Sequence, residues 1–263
     1  MGGAAENLAL AGAARGRPGE ITFQTGNPGG LRFAYGQGQN VPSGLFDAIP
    51  RRQSTRADYD GRSVSAADLG TLAAAARVPG VDLLLITDRA QIDRVRDLVV
   101  EGNTAQLGDA AFLRELKSWI RLNPRQALRT GDGLFSAASG SPSVPTWLGP
   151  TLFDVTLKTA ADNDRYARQI ASSAGIAVFV GEHADPDHWT RVGRASQRFA
   201  LQATALGLKL AYINQPVEVA ALRPELASLI GMAGRRPDLV MRFGYGENLP
   251  YSVRRPVDTV IVT

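Results

Sequence analysis

Six consecutive residues, Arg51-Arg52-Gln53-Ser54-Thr55-Arg56, set two to three guanidinium groups beside a hydroxyl. That is suitable chemistry for a phosphate dianion. Guanidinium forks and a hydroxyl give it charge-assisted, partly bidentate hydrogen bonds. A solvated basic turn is the plain alternative. A second pair stands in Ser252-Val253-Arg254-Arg255-Pro256. Spacing alone does not say whether the two pairs converge.

Other constellations are poorer. His183-Ala184-Asp185-Pro186-Asp187-His188 holds both histidines of the chain. It departs from a His-x-His-x-Asp-His metal pattern at Asp185, and no further histidine can finish a site. A helix N-terminus capped by Asp185 fits it better, with acidic residues favoured by the helix dipole. Gly131-Asp132-Gly133 reads as a turn, since no strand-to-helix Gly-rich pattern with a lysine surrounds it. No Gly-x-Ser-x-Gly elbow marks a serine hydrolase. Trp119, Trp147 and Trp189 read as core or loop anchors.

Composition narrows the classes. The 263 residues are 44% hydrophobic and 21% charged, which is ordinary globular usage. Cysteine is absent, so disulfides, thiolate metal sites and a cysteine nucleophile are excluded. The net charge is +4, carried by arginine far more than lysine. No Lys/Arg run of the kind that tracks a nucleic-acid backbone occurs. A small phosphorylated ligand fits better than DNA or RNA. No apolar run approaches the ~20 residues of a membrane span. The N-terminus lacks the basic-then-apolar order of a signal peptide. A cytoplasmic protein with no nucleic-acid or membrane partner is the expectation.

The elements that would position these residues alternate between helix and strand. Helices are expected over 2–14, 45–49, 65–76, 89–106, 110–120, 164–173 and 186–206, and within 217–230. Strands are expected over 21–24, 30–36, 81–87, 174–180, 208–213 and 239–244, with a β-branched stretch at 257–263. Ser65 and Asp68 form a capping-box-like pair. Trp189, Val192, Ser196, Phe199, Ala200 and Ala203 make a core-facing helical stripe. Residues 130–150, rich in Gly, Ser and Pro, read as a long loop, a form often taken by lids and binding segments. The alternation points to an α/β or α+β class with a central sheet.

The chain also echoes itself. Gly2 to Gly16 aligns without a gap on Gly193 to Gly207, with identities at Gly2/Gly193, Ala4/Ala195, Ala9/Ala200, Leu10/Leu201, Ala14/Ala205 and Gly16/Gly207. Leu31-Arg-Phe-Ala-Tyr-Gly36 then echoes Met241-Arg-Phe-Gly-Tyr-Gly246. Two echoes in the same order point to a duplication. Residues 1–44 would be the remnant of a first half, and 45–263 a whole second half. The front of the first half would lie before Met1.

Arg52-Gln53-Ser54-Thr55-Arg56 after a short amphipathic helix resembles the Arg-x-Ser-x-Arg/Lys flavin-phosphate motif of the nitroreductase superfamily. Tyr59, Val64-Ser65, Leu69 and Leu72 continue the resemblance. So do the closing Ser-x-Arg-Arg-Pro and the helix at 193–207, which is similar to the superfamily's dimer-interface helix. Trp119-Ile120-Arg121, Gly131-Asp132-Gly133-Leu134 and the duplicated tail are most similar to its Acg-type branch, in which one chain carries two halves.

The resemblance implies an α+β nitroreductase fold, with a central, mostly antiparallel sheet flanked by helices. It implies FMN as cofactor, NAD(P)H as electron donor and a nitroaromatic or quinone-type small-molecule acceptor. It implies a pseudo-dimer within the chain, or a homodimer. Arg52, Gln53, Ser54 and Arg56 would hold the phosphate and ribityl chain. Arg254 and Arg255 would complete the clamp, and Asn214 and Gln215 would approach the ring. No catalytic acid or base is implied. The superfamily's ring-lining Pro-Ser…Gln-Pro-Trp stretch is replaced by Ala76-Arg77-Val78-Pro79-Gly80-Val81-Asp82. In two-half relatives it comes from the first half. Alternatives are a flavin-binding protein without turnover, and a relative that binds no flavin alone.

Overall fold

The computed structural model describes residues 1–26, 29–147, 159–252, 255–259 and 261. Its centre is a four-stranded sheet of β3 (Val81–Ile86), β6 (Gly175–Gly181), β7 (Lys209–Tyr212) and β8 (Pro237–Gly244). Their spatial order is β3-β6-β8-β7, and every neighbouring pair is antiparallel. Two smaller pairs stand apart. β1 (Gly19–Gln24) and β2 (Gly30–Tyr35) form an antiparallel hairpin, and β4 (Ile120–Arg121) lies parallel to β5 (Leu134–Phe135).

The run Gly-Ile-Ala-Val-Phe-Val-Gly of β6 has no polar position because both of its faces are covered. Every residue of it is buried. Successive side chains point to opposite faces. Ala177 and Phe179 enter one core with Leu72, Phe199, Leu210 and Phe243, while Ile176, Val178 and Val180 enter the other with Ile92, Val95, Val99 and Ile213. The first layer rests on α3 (Ala66–Ala75) and α8 (Pro186–Ala205). The second rests on α4 (Arg89–Gly108), with α7 (Thr159–Ala171) packed against it. Phe199 of α8 meets Phe179 and Phe243 edge to face, at 5.7 and 5.6 Å between centroids.

Caps fall where the sequence places them. Ser65 Oγ accepts from the Asp68 amide at 3.0 Å and donates to its carboxylate at 2.8 Å. Asp185 caps α8 by accepting from the His188 amide at 2.9 Å. Gly207, at φ +76°, ends the turn after α8. Three expectations need correction. Trp189 leaves the core stripe: it is 45% exposed, with the Arg236 guanidinium 5.1 Å from its ring centroid. Residues 257–259 form a 3-10 turn rather than a strand, and 260 and 262–263 lie outside the described residues. The loop at 130–150 is partly ordered into β5 and a 3-10 turn at Ala137–Ser139, and 148–158 are outside the described residues.

The two similar segments fold alike and pack on each other. α1 (Gly2–Ala14) leads into the β1–β2 hairpin, as α8 leads into the β7–β8 pair. Ile21 pairs with Phe33 and Thr22 with Arg32, as Leu210 pairs with Phe243 and Ala211 with Arg242. The α1–α8 contacts are reciprocal in the aligned positions. Glu6 bonds Arg194 and Arg198, both at 2.8 Å. Its counterpart Gln197 packs on Gly3 and donates to Asn7 at 2.8 Å. Gly3 and Asn7 are the counterparts of Arg194 and Arg198. Such an exchange of equivalent contacts is the pattern of an isologous interface.

Candidate functional site

The loop at 52–57 follows α2 (Gly44–Ala48) and the 3-10 turn Ile49–Arg51. It is tethered at several points. The Thr55 amide donates to Leu210 O at 2.8 Å, which adds the loop to the edge of β7. Gln53 grips the Leu249 backbone at both ends, donating to its carbonyl at 3.0 Å and accepting from its amide at 3.1 Å. Gln169 of α7 donates to Arg56 O at 3.0 Å. Tyr251 Oη reaches Arg51 O at 2.9 Å.

Arg242 holds the loop from beneath. It is fully buried on β8. Its Nη2 donates to Thr55 O at 3.2 Å and Ala57 O at 2.8 Å, and its Nη1 to Gln169 O at 3.0 Å and Ser173 Oγ at 3.3 Å. The guanidinium also lies 4.1 Å from the Tyr59 ring centroid, a cation–π contact. Tyr59 Oη donates to Thr55 O at 3.1 Å. Burial pushes the Tyr59 phenol up to about 12, against the pull of Arg242. Burial likewise lowers Arg242 from its ordinary value, because a charge in low dielectric is disfavoured.

The candidate residues fall into two groups. Arg52 is half-buried, and its Nη1 is buried with no hydrogen-bond partner among the described residues. It faces Tyr212, whose phenol is raised by burial and partly relieved by the Arg52 charge. Ser54 and Arg56 are also half-buried. Gln215, which opens α9 (Gln215–Glu218), is buried against Gly102 of α4, and its Oε1 has no partner.

Three residues are spent elsewhere, Gln53 among them on the Leu249 backbone. Asn214 accepts the Val240 amide on its Oδ1 at 2.9 Å, just beyond the last β7–β8 pair, Tyr212 with Met241. That is a structural use of the side chain. Arg255 is exposed and donates from Nε to Gly131 O at 2.9 Å. The structure brings it to the 131–133 turn and not to the 52–56 loop. Arg254 lies outside the described residues.

A cavity of about 420 Å³ begins at Arg56. Asn103 and Gln106 of α4 and Tyr166 and Gln169 of α7 line it, with Phe112 and Leu116 of α5 (Ala110–Trp119) as apolar wall. Ser136, Ser139, Ser141, Pro142 and Val144 close it from above. That roof is held in place. Arg121 bonds Asp132 at 2.7 Å and Ser136 bonds Arg121 O at 2.9 Å, while Asn123 reaches Val144 O at 3.1 Å. The Arg121 and Thr130 hydrogen bonds keep the Asp132 carboxyl below its usual range. A wider cleft of about 500 Å³ between β1 and α8 contains none of the candidate residues.

Sequence reasoning missed Arg242, Gln169, Asn103 and Gln106, and marked Tyr59 only as part of a resemblance, with no role. Arg242 was visible only as part of an echo. Nothing in a chain reading says that one of two like arginines is buried. Asn103, Gln106 and Gln169 lie on helices whose polar face looks solvated until α4 and α7 are packed together.

The family model described as Nitroreductase family matches residues 49–246. The chain belongs to the nitroreductase family. Among curated proteins, "Putative NAD(P)H nitroreductase Rv3131" of Mycobacterium tuberculosis is 28% identical over 225 residues. The match covers 82% of this chain and 61% of that protein, so the chain spans less than two thirds of its relative. Among solved structures, the FMN-dependent nitroreductase NfnB of Mycobacterium smegmatis in complex with NADPH aligns with TM-score 0.55 at 13% identity, over 84% of this chain and 97% of that one. A nitroreductase with bound FMN from Desulfitobacterium hafniense aligns with TM-score 0.52 at 12% identity, over 85% and 99%. These likenesses establish the α+β nitroreductase fold. Among the described residues no helix is long and apolar enough to cross a membrane.

Proposed function

We propose that the chain is an FMN-dependent oxidoreductase that takes two electrons from NAD(P)H and passes them to a small nitroaromatic or quinone-type acceptor. The observation that carries the reading is Arg52 Nη1. A buried cationic donor without an acceptor is costly, and an anion relieves it. The residues fit the group on that ground. Arg52 and Ser54 would meet the phosphate, with Arg254 as a further candidate. Arg56 would stand where the ribityl chain turns into the cavity. The planar ring would lie between the polar Asn103–Gln106 edge and the apolar α5 wall.

FMN, when bound, supplies the hydride and electron transfer. The chain's own task is to orient and to exclude water. Arg242 and Tyr59 fix the loop carbonyls so that its side chains face the ligand. The Ser136–Val144 roof would narrow access to the cavity. The reciprocal α1–α8 contacts support a two-half chain, with residues 1–44 belonging to a first half. NfnB in complex with NADPH supports a nicotinamide donor.

The roof favours a second reading, a flavin-binding protein without turnover. Titration with FMN, followed by NADPH-driven reduction of menadione or nitrofurazone, separates the two. Saturable binding with turnover supports the first, and binding without turnover supports the second. No binding by the wild type rejects both.

A further inference from the structure

A second cluster of chemically capable side chains lies at the far end of β6 from the 52–57 loop. Glu182 and His183 follow the strand, and His188 sits in the first turn of α8. Their ligand atoms lie within 4.8 Å of one another. The two imidazoles meet edge to face at 4.7 Å between centroids. The histidines therefore have a third partner that the chain reading did not count.

The state of His188 is arranged from outside the cluster. Its Nδ1 faces the Asp185 carboxylate, at 2.9 and 2.8 Å from the two oxygens. A carboxylate accepts only, so Nδ1 carries the hydrogen and neutral His188 presents its lone pair on Nε2. That is the carboxylate–histidine arrangement found behind metal-ligating imidazoles. Gly80 stands over the Cδ2–Nε2 edge of the ring, and a Cβ there would come 3.2 Å from Nε2 and 3.3 Å from Arg191 Nη1. Gly80 also accepts the Glu182 amide at 2.9 Å, which fixes the base of the glutamate. The neighbouring cation is neutralised, since Arg191 pairs with Asp187 at 2.6 Å.

We propose that Glu182, His183 and His188 form a binding site for one zinc-type divalent ion, held by His188 Nε2, one His183 ring nitrogen and one Glu182 oxygen. Two imidazoles and a carboxylate suit a borderline ion better than magnesium or calcium, which prefer oxygen sets. Glu182 and His183 are exposed, so a fourth position is open to water. The bound ion ties the end of β6 to the start of α8.

The test is calorimetric titration of the untagged, chelator-treated chain with zinc chloride, with thermal unfolding read in parallel. One ion per chain and a raised midpoint are expected. His183→Gln and His188→Gln should each weaken uptake at least about tenfold. Asp185→Asn keeps a competent N-cap but loses the carboxylate, and should weaken uptake roughly 10- to 100-fold. FMN titration and circular dichroism should be unchanged in all three variants. No saturable uptake by the wild type overturns the proposal. So does uptake unchanged in both histidine variants, or uptake in Asp185→Asn equal to that of the wild type.

Discussion

Gly2, at the head of α1, and its aligned partner Gly193, two turns into α8, lie against each other, so that a Cβ on Gly193 would come 3.1 Å from Gly2 Cα. The contact is the meeting point of the reciprocal set made by Glu6, Asn7, Arg194, Gln197 and Arg198. An exposed helical glycine usually gains roughly 0.5–1 kcal/mol on replacement by alanine. Here a larger side chain should do the reverse. Gly193→Val should lower stability by about 1–3 kcal/mol, the range for overpacking. It should also expose α1 to proteolysis. A urea midpoint equal to or above that of the wild type would contradict this packing.

Arg52 should matter for anion affinity more than for the fold, because its Nη1 has no partner among the described residues. A hydrogen bond to a charged group contributes about 1.5–3 kcal/mol. Arg52→Ala should therefore weaken FMN binding roughly 10- to 100-fold, with little change in unfolding midpoint. Riboflavin, which lacks the phosphate, should bind wild type and variant alike. An equal loss for both ligands would place Arg52 away from the phosphate.

Arg242 should show the opposite profile. Arg242→Met leaves Ala57 O without its donor and takes one of the donors from Thr55 O and Gln169 O, which keep Tyr59 Oη and the Ser172 and Ser173 hydroxyls. A loss of stability of about 3–5 kcal/mol is expected from breaking a buried charged network, together with loss of FMN binding. Arg242→Lys keeps the charge but not the fork, and should recover only part of either. A variant with normal stability would show that the loop does not depend on it.

The phenol of Tyr59 gives a pH signature. Its folded value, about 12, stands above the ordinary 10.0 of an unfolded chain. The folded state keeps its proton where the unfolded state has lost it. The contribution is thus fully present below pH 10 and declines as pH rises towards 12. Two pH units correspond to roughly 2–3 kcal/mol. Tyr59→Phe should be less steeply destabilised between those limits in pH-dependent urea denaturation. Parallel curves for the two proteins would remove the effect.

The roof over the cavity can be loosened without touching its lining. Gly140 sits at φ +77°, and a Cβ there would lie 2.8 Å from Arg56 O. Gly140→Val should lift the 137–141 segment. If the roof limits access, turnover of menadione at saturating FMN should rise several-fold; an unchanged rate would mean that access is not what the roof controls.

The sheet, the caps and the arginine loop could be read from the chain because each is local. The apolar run of β6, the Ser65–Asp68 box and Arg52–Arg56 all declare themselves within a few residues. What escaped depends on distant packing. Asn214 looked like a ligand contact at a strand end, but its amide oxygen goes to the Val240 amide. Arg255 looked like half of a clamp, but its reach ends at Gly131. The polar face of α4 looked solvated, yet α5 and α7 convert Asn103 and Gln106 into a cavity wall. Trp189 fell on the right helical spacing and still faces outward beside Arg236.

Arg32 and Arg242 occupy the same place in their strand pairs, opposite Thr22 and Ala211. One is exposed and the other is fully buried. The same letter in the two echoes therefore carries opposite mutational tolerance. At Arg32 an uncharged residue removes no internal bond, and its main effect would be on solubility, since β2 has no described neighbour beyond β1. At Arg242 even a residue of matching volume leaves the Ala57 carbonyl stranded. Libraries that randomise both positions should return a free choice at the first and arginine at the second.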